Sequence, residues 1–155
     1  MIIRFATMED ASTIANNNIM LAEESEGMKI SYDETLEGVK RIIENKNLGF
    51  YIVAEENGRI AGQLMITYEW SDWRAKQIWW LQSIYVKKEW RKRGVMKKMI
   101  EKIFEMAMEK NVALIRLYVH EKNEGAIKAY ERAGMKRAPY IIYEESIPRT
   151  TNKFK

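Results

Sequence analysis

The spacing of apolar positions divides this chain into helical and extended segments. Residues 2–6 form a short apolar run suited to a first strand. Thr7 stands three residues before Asp10, as in a capping box, so a helix is predicted to begin there. Ala11, Ile14, Ala15, Ile19 and Ala22 recur along it at helical intervals. Asn16, Asn17 and Asn18 are poor helix formers and predict a weak or bent middle. A second helix is expected over about 33–44, with Leu36, Val39, Ile42 and Ile43 inward. From Gly49 the period becomes that of strands. Residues 50–55 and about 59–68 flank Asn57-Gly58, a strong hairpin signal. After a polar, Trp-containing stretch (69–76), a long strand is expected at 77–86. An amphipathic helix over roughly 95–110 aligns Met96, Met99, Ile100, Ile103 and Ala107 on one face. Residues 113–119 read as an interior strand. Asn123 opens a helix with Ala126, Ile127, Tyr130 and Ala133 inward, which Gly134 ends. One or two further strands are predicted in 135–145, and 146–155 reads as a polar tail. The order β-α-α-β-β-β-α-β-α-β predicts one α/β (α+β) domain over 1–145, a mixed sheet with helices packed on it.

Composition narrows the chemistry. A length of 155 residues suits one domain. With 46% hydrophobic and 31% charged residues, a disordered chain is excluded. No cysteine is present, which excludes disulfides, thiolate metal sites and cysteine nucleophiles. The one histidine, His120, argues against a multi-histidine metal site, so no metal is expected. No apolar run approaches 18 residues and the first residues lack a signal-peptide pattern, so a soluble, cytoplasmic protein without a membrane partner is expected. The net charge is only +4, yet 87–98 carries seven basic residues and one acid, a concentration that attracts phosphates.

That basic run lies between a strand and a helix. Ile84-Tyr85-Val86 ends the long strand, and Arg91-Lys92-Arg93-Gly94-Val95-Met96 leads into the next helix. A helix N-terminus presents unpaired N–H groups and the positive end of its dipole, so this turn is a candidate anion site. Gly94 permits close backbone approach, and the three cations could pair with a diphosphate. The turn lacks the glycine and lysine spacing of a P-loop or a dinucleotide fold. A second unit follows: Asn123, Ala126, Tyr130, Gly134 and Met135 in the order N-x-x-A-x-x-x-Y-x-x-x-G-M.

Together, R-x-x-G-x and this downstream unit resemble the Gcn5-related N-acetyltransferases, the GNAT superfamily. The opening I-R-F-A-T-M-E-D and the element order resemble it as well. The resemblance implies a mostly antiparallel mixed sheet of six to seven strands, splayed between the fourth and fifth and flanked by about four helices. It implies that acetyl-CoA lies in the splay, its pantetheine arm on the backbone of Ile84, Tyr85 and Val86. Its pyrophosphate would rest on the amides of Arg91, Lys92, Arg93, Gly94, Val95 and Met96. Asn123 would bind the cofactor or fix the site's geometry, and Tyr130 would protonate the departing thiolate. Three positions depart from the family pattern: Lys88 replaces a common proline, Lys92 a glycine, and Met96 a small residue. Met96 lies in the helix's apolar register, so it is expected to face the core.

Acetyl transfer to an amine requires the neutral amine, donors for an oxyanion and an acid for the thiolate. An unperturbed alkylamine has a pKa of about 10.4, so only about one in 2,500 is neutral at pH 7. A base is therefore useful. Glu69 is the first candidate, ahead of Asp72 and Glu24, whereas His120 is expected to cap or cover the sheet edge. Trp70, Trp73, Trp79 and Trp80 crowd the same region, either as an aromatic acceptor pocket or as packing and a homodimer contact. Trp79 and Trp80 must face opposite sides of a strand. The expected activity is direct transfer of an acetyl group, through a tetrahedral intermediate, to a primary amine. A small molecule is favoured as acceptor, with a protein N-terminus or lysine as the alternative. A non-catalytic acyl-CoA-binding module is the second class and nucleic-acid binding by 87–98 the third. The modest net charge and the lack of a nucleic-acid motif argue against the third.

Overall fold

A computed structural model describes residues 1–148 of the chain. Its elements are β1 (Ile2–Phe5), α1 (Ala11–Glu26), α2 (Tyr32–Glu44), β2 (Gly49–Glu56), β3 (Arg59–Ser71), β4 (Lys76–Val86), α3 (Val95–Glu109), β5 (Leu114–Arg116) and α4 (Glu124–Arg132). The strands form one sheet in the order β1-β2-β3-β4-β5. The first four run antiparallel, and β5 joins β4 in parallel.

Strand alternation sorts the side chains into two layers. Ile52, Leu64, Ile66, Trp79 and Leu81 meet Val95, Met99, Ile100 and Ile103 of α3. Tyr51 and Val53 turn to the opposite face and meet Ala11, Ile14 and Ala15 of α1 with Val39 and Ile42 of α2. Each such fully buried aliphatic side chain stabilises the fold by roughly 1.5–3 kcal/mol. Met96 packs at the edge of the α3 layer, as its register predicted.

The β2–β3 hairpin turns at Asn57 and Gly58, both left-handed at φ 51° and 76°. The entry to α1 is held by Asp10, whose carboxylate accepts from the Thr7 N–H at 2.8 Å and from Arg4 at 2.7 and 3.0 Å. The hydrogen bond from Arg4, helped by the one from Thr7, keeps the Asp10 carboxyl below the ordinary carboxylate range against the opposing effect of burial.

Three expectations change. The helix predicted to weaken at Asn16–Asn18 runs unbroken, because two of those amides bond across to the sheet. Asn17 donates to Gln63 at 3.0 Å, and Asn18 donates to the Tyr51 hydroxyl at 3.0 Å. Half of the polar stretch 69–76 is strand: β3 continues to Ser71 and β4 starts at Lys76, leaving a four-residue turn between them. Finally, the sheet has five strands among the described residues, rather than six or seven. No strand forms in 135–145. Pro139 has no N–H to donate and restricts Ala138 before it. β5, the neighbour such a strand would need, is only three residues long. Of the polar tail expected at 146–155, residues 149–155 lie outside the described residues.

Candidate active site

The site grows from an irregularity in β4. Met65 pairs with Gln82 and Gln63 with Tyr85, so Ser83 and Ile84 together oppose Leu64. That is a β-bulge, and Ser83 adopts φ 48°, a conformation unusual for a residue with a side chain. On the other side of β4 only Ile78, Trp79 and Trp80 pair with β5. From Leu81 to Val86 the β5-facing edge of β4 has no strand partner among the described residues, so the two strands part where the bulge lies. This is the splay between the fourth and fifth strands.

The backbone beyond β4 turns through a short 3-10 segment, Lys88–Trp90, and enters α3 at Gly94, φ 76°. A Cβ on Gly94 would meet nothing within 4 Å, so the space over this turn is open. The first N–H groups of α3 have no partner within the helix and sit at the positive end of its dipole. Lys92 takes φ 64°, the left-handed conformation that a glycine would supply. Gly62 seats the helix: a Cβ there would lie 2.9 Å from the Tyr85 carbonyl oxygen and 3.2 Å from both Val95 and Met99. Only a residue without a side chain lets α3 start this close to the sheet.

The three cations of the turn have different fates. Arg91 donates to the Val86 carbonyl at 2.9 Å and to Glu24 of α1 at 3.1 and 3.2 Å, with its guanidinium 5.4 Å from the Tyr85 ring. It is therefore engaged as a tie between the turn and α1. Arg93 lies over the Trp90 ring at 5.1 Å. Neither Arg93 nor Lys92 has an ion pair among the described residues, so these two remain available to an anion. Burial and a hydrogen bond to Glu24 push the Tyr85 hydroxyl up to about 12. Burial opposes ionisation of Glu24, but bonds from Tyr85 and Arg91 outweigh it and hold its carboxyl below the ordinary range.

Across the opening, Asn123 caps α4 by accepting from the Ala126 N–H at 3.2 Å. Tyr130 packs on the rim of the α3 core cluster, as do Ile84, Val86 and Met96. Burial raises the pKa of its hydroxyl. α4 buries no residue fully, so it stands as a loosely seated wall rather than part of the core. A cavity of about 320 Å³ opens between the end of α1 and the start of α4, lined by Glu24, His120 and Asn123 among others. His120 lies in the turn after β5, where its Nδ1 accepts from the Lys122 N–H at 3.2 Å.

Glu69 sits apart from that group, on the α1–α2 face of the sheet beside Thr67 and Trp80. Its carboxylate accepts from Trp80 Nε1 at 2.8 Å and from Arg116 at 3.1 Å. On the same face Gln82 donates to Thr67 at 2.6 Å. The tryptophans divide: Trp79 is buried on the α3 face, Trp80 is half-buried on the other, and Trp70 and Trp73 are exposed. Asp72 is exposed in the β3–β4 turn. Among the described residues no group of three or more histidine or acidic side chains is placed to hold a metal.

Sequence reasoning missed the buried polar chain beneath the bulge. Gln63, fully buried, accepts from Asn17 and donates to Asn18 at 2.8 Å. Asn18 reaches the Tyr51 hydroxyl, which also bonds the Ser83 side chain. Helix α1 is thereby fastened to the bulge. The signal was the run of three asparagines inside an apolar helix pattern.

The sequence profile of the acetyltransferase (GNAT) family matches residues 17–135. The fold superposes on a possible acetyltransferase from Clostridium difficile 630 with a TM-score of 0.90 and 36% identity, covering 96% of this chain and 98% of that one. It also superposes on a predicted acetyltransferase with acetyl-CoA from Clostridium acetobutylicum, TM-score 0.75 and 18% identity over 93% of this chain and 95% of that one, a likeness of fold. Among curated relatives, thialysine N-epsilon-acetyltransferase of Bos taurus is 33% identical over 75 residues, 48% of this chain and 44% of its own length. The Caenorhabditis elegans protein of that name is 29% identical over 110 residues, 70% and 66% respectively. The chain spans about half the length of the Bos taurus and Sus scrofa proteins it matches, and about two thirds of the Caenorhabditis elegans one. With a profile matched over most of its length and a splayed sheet leading into an open helix N-terminus, this chain belongs to the acetyltransferase (GNAT) family.

Proposed function

We propose that the protein is an acetyl-CoA-dependent N-acetyltransferase that moves the acetyl group directly to a primary amine of a small molecule. The observation that carries this reading is the coincidence, at one end of β4, of a bulged strand edge with no strand partner among the described residues and an open helix N-terminus flanked by Lys92 and Arg93. The residues fit the cofactor: free amides and unpaired cations suit a pyrophosphate, and a bare strand edge suits an extended amide-bearing arm. When bound, acetyl-CoA supplies an activated thioester.

The chain's own groups do the rest. Ile84, Tyr85 and Val86 offer backbone partners to the pantetheine arm, and Gly94, Val95 and Met96 offer N–H groups to the phosphates. Backbone N–H groups turned outward at the bulge stabilise the developing oxyanion. Tyr130, kept protonated by burial, donates to the leaving sulfur. Asn123 shapes the wall opposite the strand edge through its cap on α4. Glu69 is the candidate proton acceptor, acting through water, since Arg116 and Trp80 already occupy part of its carboxylate.

A lysine-like amino acid is the acceptor class most consistent with these groups. The curated relatives named above carry thialysine in their names, and such an acceptor bears both an ammonium and a carboxylate. The Glu69–Arg116 pair presents one charge for each. A cytoplasmic location belongs to the same proposal; among the described residues no helix is long and apolar enough to cross a membrane. The test is release of free thiol from acetyl-CoA over a panel of diamines, lysine analogues and peptides with free N-termini. Turnover of a lysine analogue above the peptides is expected. Tight cofactor binding with no turnover of any amine would replace the enzyme by a non-catalytic acyl-CoA-binding module.

A further inference from the structure

Arg91 holds two groups that the reacting partners need. A trans peptide points its C=O opposite to the N–H of the next residue. The Lys87 N–H donates to Ala61 of β3 at 2.9 Å. The Val86 carbonyl therefore points away from β3, to the edge of β4 that has no strand partner among the described residues. Arg91 Nε donates to that carbonyl at 2.9 Å. An extended arm laid along this edge would offer the same carbonyl an amide N–H, so the guanidinium and the arm compete for one acceptor. The same guanidinium reaches both carboxylate oxygens of Glu24, at 3.1 and 3.2 Å.

Glu24 stands in the last turn of α1 and accepts from the Tyr85 hydroxyl. It lines the cavity of about 320 Å³ between α1 and α4, with His120 and Asn123. Trp80 and Tyr85 bracket the bulge along β4, so Glu69 beside the first and Glu24 beside the second lie at its two ends. An amino acid held by Glu69 and Arg116 would run its side chain along β4 towards the bulge, where an ammonium at its tip meets Glu24. While Arg91 sits on Glu24, that negative charge is already matched. Lys88 also approaches Glu24, but it is exposed and 3.8 Å away, a weak partner.

We propose that Arg91 stands in for the acetyl-CoA arm at the Val86 carbonyl, and that on leaving it when the cofactor binds, Arg91 uncovers Glu24 to receive a cationic acceptor. Glu24 is then a specificity residue, in an assignment that rests on acetyl-CoA lying along β4. One contact thus joins the two binding events, and each ligand strengthens the other by the same factor.

The test is titration calorimetry of the full chain at about 0.15 M salt, with acetyl-CoA and with ADP, which carries a diphosphate and no arm. Glu24 and Arg91 are exposed, so Glu24→Gln and Arg91→Gln are expected to fold, checked by circular dichroism. Glu24→Gln loosens Arg91 and is expected to bind acetyl-CoA about threefold more tightly, with a smaller gain for ADP. In the Arg91→Gln background the same substitution is expected to leave acetyl-CoA affinity unchanged. In steady-state assays Glu24→Gln is expected to raise KM for lysine about tenfold with kcat little changed. Unchanged acetyl-CoA affinity in Glu24→Gln overturns the proposal. So does an equal gain for ADP, or a gain that persists without Arg91, since either would be plain charge removal. An unchanged KM for lysine, or no turnover of lysine, overturns the role of Glu24. In all these cases a native chain that binds acetyl-CoA and acetylates other amines keeps its proposed function, whereas a native chain that does not bind acetyl-CoA overturns both.

Discussion

Tyr130 and Lys92 show how much a single residue's surroundings decide. Burial raises the Tyr130 hydroxyl above its ordinary value near 10, so it remains a proton donor throughout the neutral range. Tyr130→Phe is expected to lower kcat by about 100-fold while leaving the acetyl-CoA dissociation constant little changed. Because its pKa is raised, ionisation of Tyr130 should not limit kcat below about pH 9. A Tyr130→Phe variant with unchanged kcat and an unchanged basic limb would contradict the assignment. Lys92 is strained by its left-handed φ of 64°. Lys92→Gly relieves about 1–2 kcal/mol of strain and costs about 0.5–1 kcal/mol of backbone entropy. A net gain of about 0.5–1 kcal/mol, read as a higher Tm by a few degrees, is expected. Loss of one of the two unpaired cations should meanwhile weaken acetyl-CoA binding.

Among the elements, those announced by local chemistry were legible in the sequence and those held by distant partners were not. Asn57-Gly58 placed its hairpin because both residues tolerate the positive φ that the turn needs. The α3 stripe and Gly94 placed the helix and its N-terminus, where the proposed anion site lies, since both follow from spacing along the chain. The asparagines of α1 misled because propensity counts their local cost and is blind to Gln63 and Tyr51, some 33–46 residues away. The seat that Gly62 provides for α3 was invisible for the same reason. Replacing Gln63 by leucine leaves the buried Asn17 amide without its acceptor and the half-buried Asn18 carbonyl oxygen without its donor. That should cost about 2 kcal/mol, seen as a lower denaturation midpoint at unchanged m. Since this series of hydrogen bonds ends at Ser83 in the bulge, kcat should fall more than acetyl-CoA affinity.

For the molecule as a whole, ligand linkage gives the most direct reading of the cleft. At 100 times its dissociation constant, acetyl-CoA should stabilise the fold by about 2.7 kcal/mol, raising Tm by several degrees for a domain of this size. ATP and AMP, as phosphate-bearing controls, should give less. No shift at millimolar acetyl-CoA would mean that Lys92 and Met96 close the pyrophosphate site. Acid should act through the opposite end of the sheet. Asp10 has a depressed carboxyl pKa in the folded state, so its stabilisation is complete above its ordinary value near 3.8 and is lost as pH falls through the lower folded value. The family resemblance covered the whole arrangement except the sheet's far edge. There the expected strands depended on a neighbour that local sequence could not supply.

The bulge at Ser83 amounts to one extra residue on β4 in the ladder with β3. Gln82 and Tyr85 face the same layer although they are three positions apart, because one residue between them is uncounted by the partner strand. Excising Ser83 alone would restore ordinary alternation without turning any core side chain to the wrong face. The expected product is a chain that folds with native circular dichroism and has lost its acetyl-transfer activity. If that deletion is tolerated, the catalytic and inert versions of this sheet differ by a single codon.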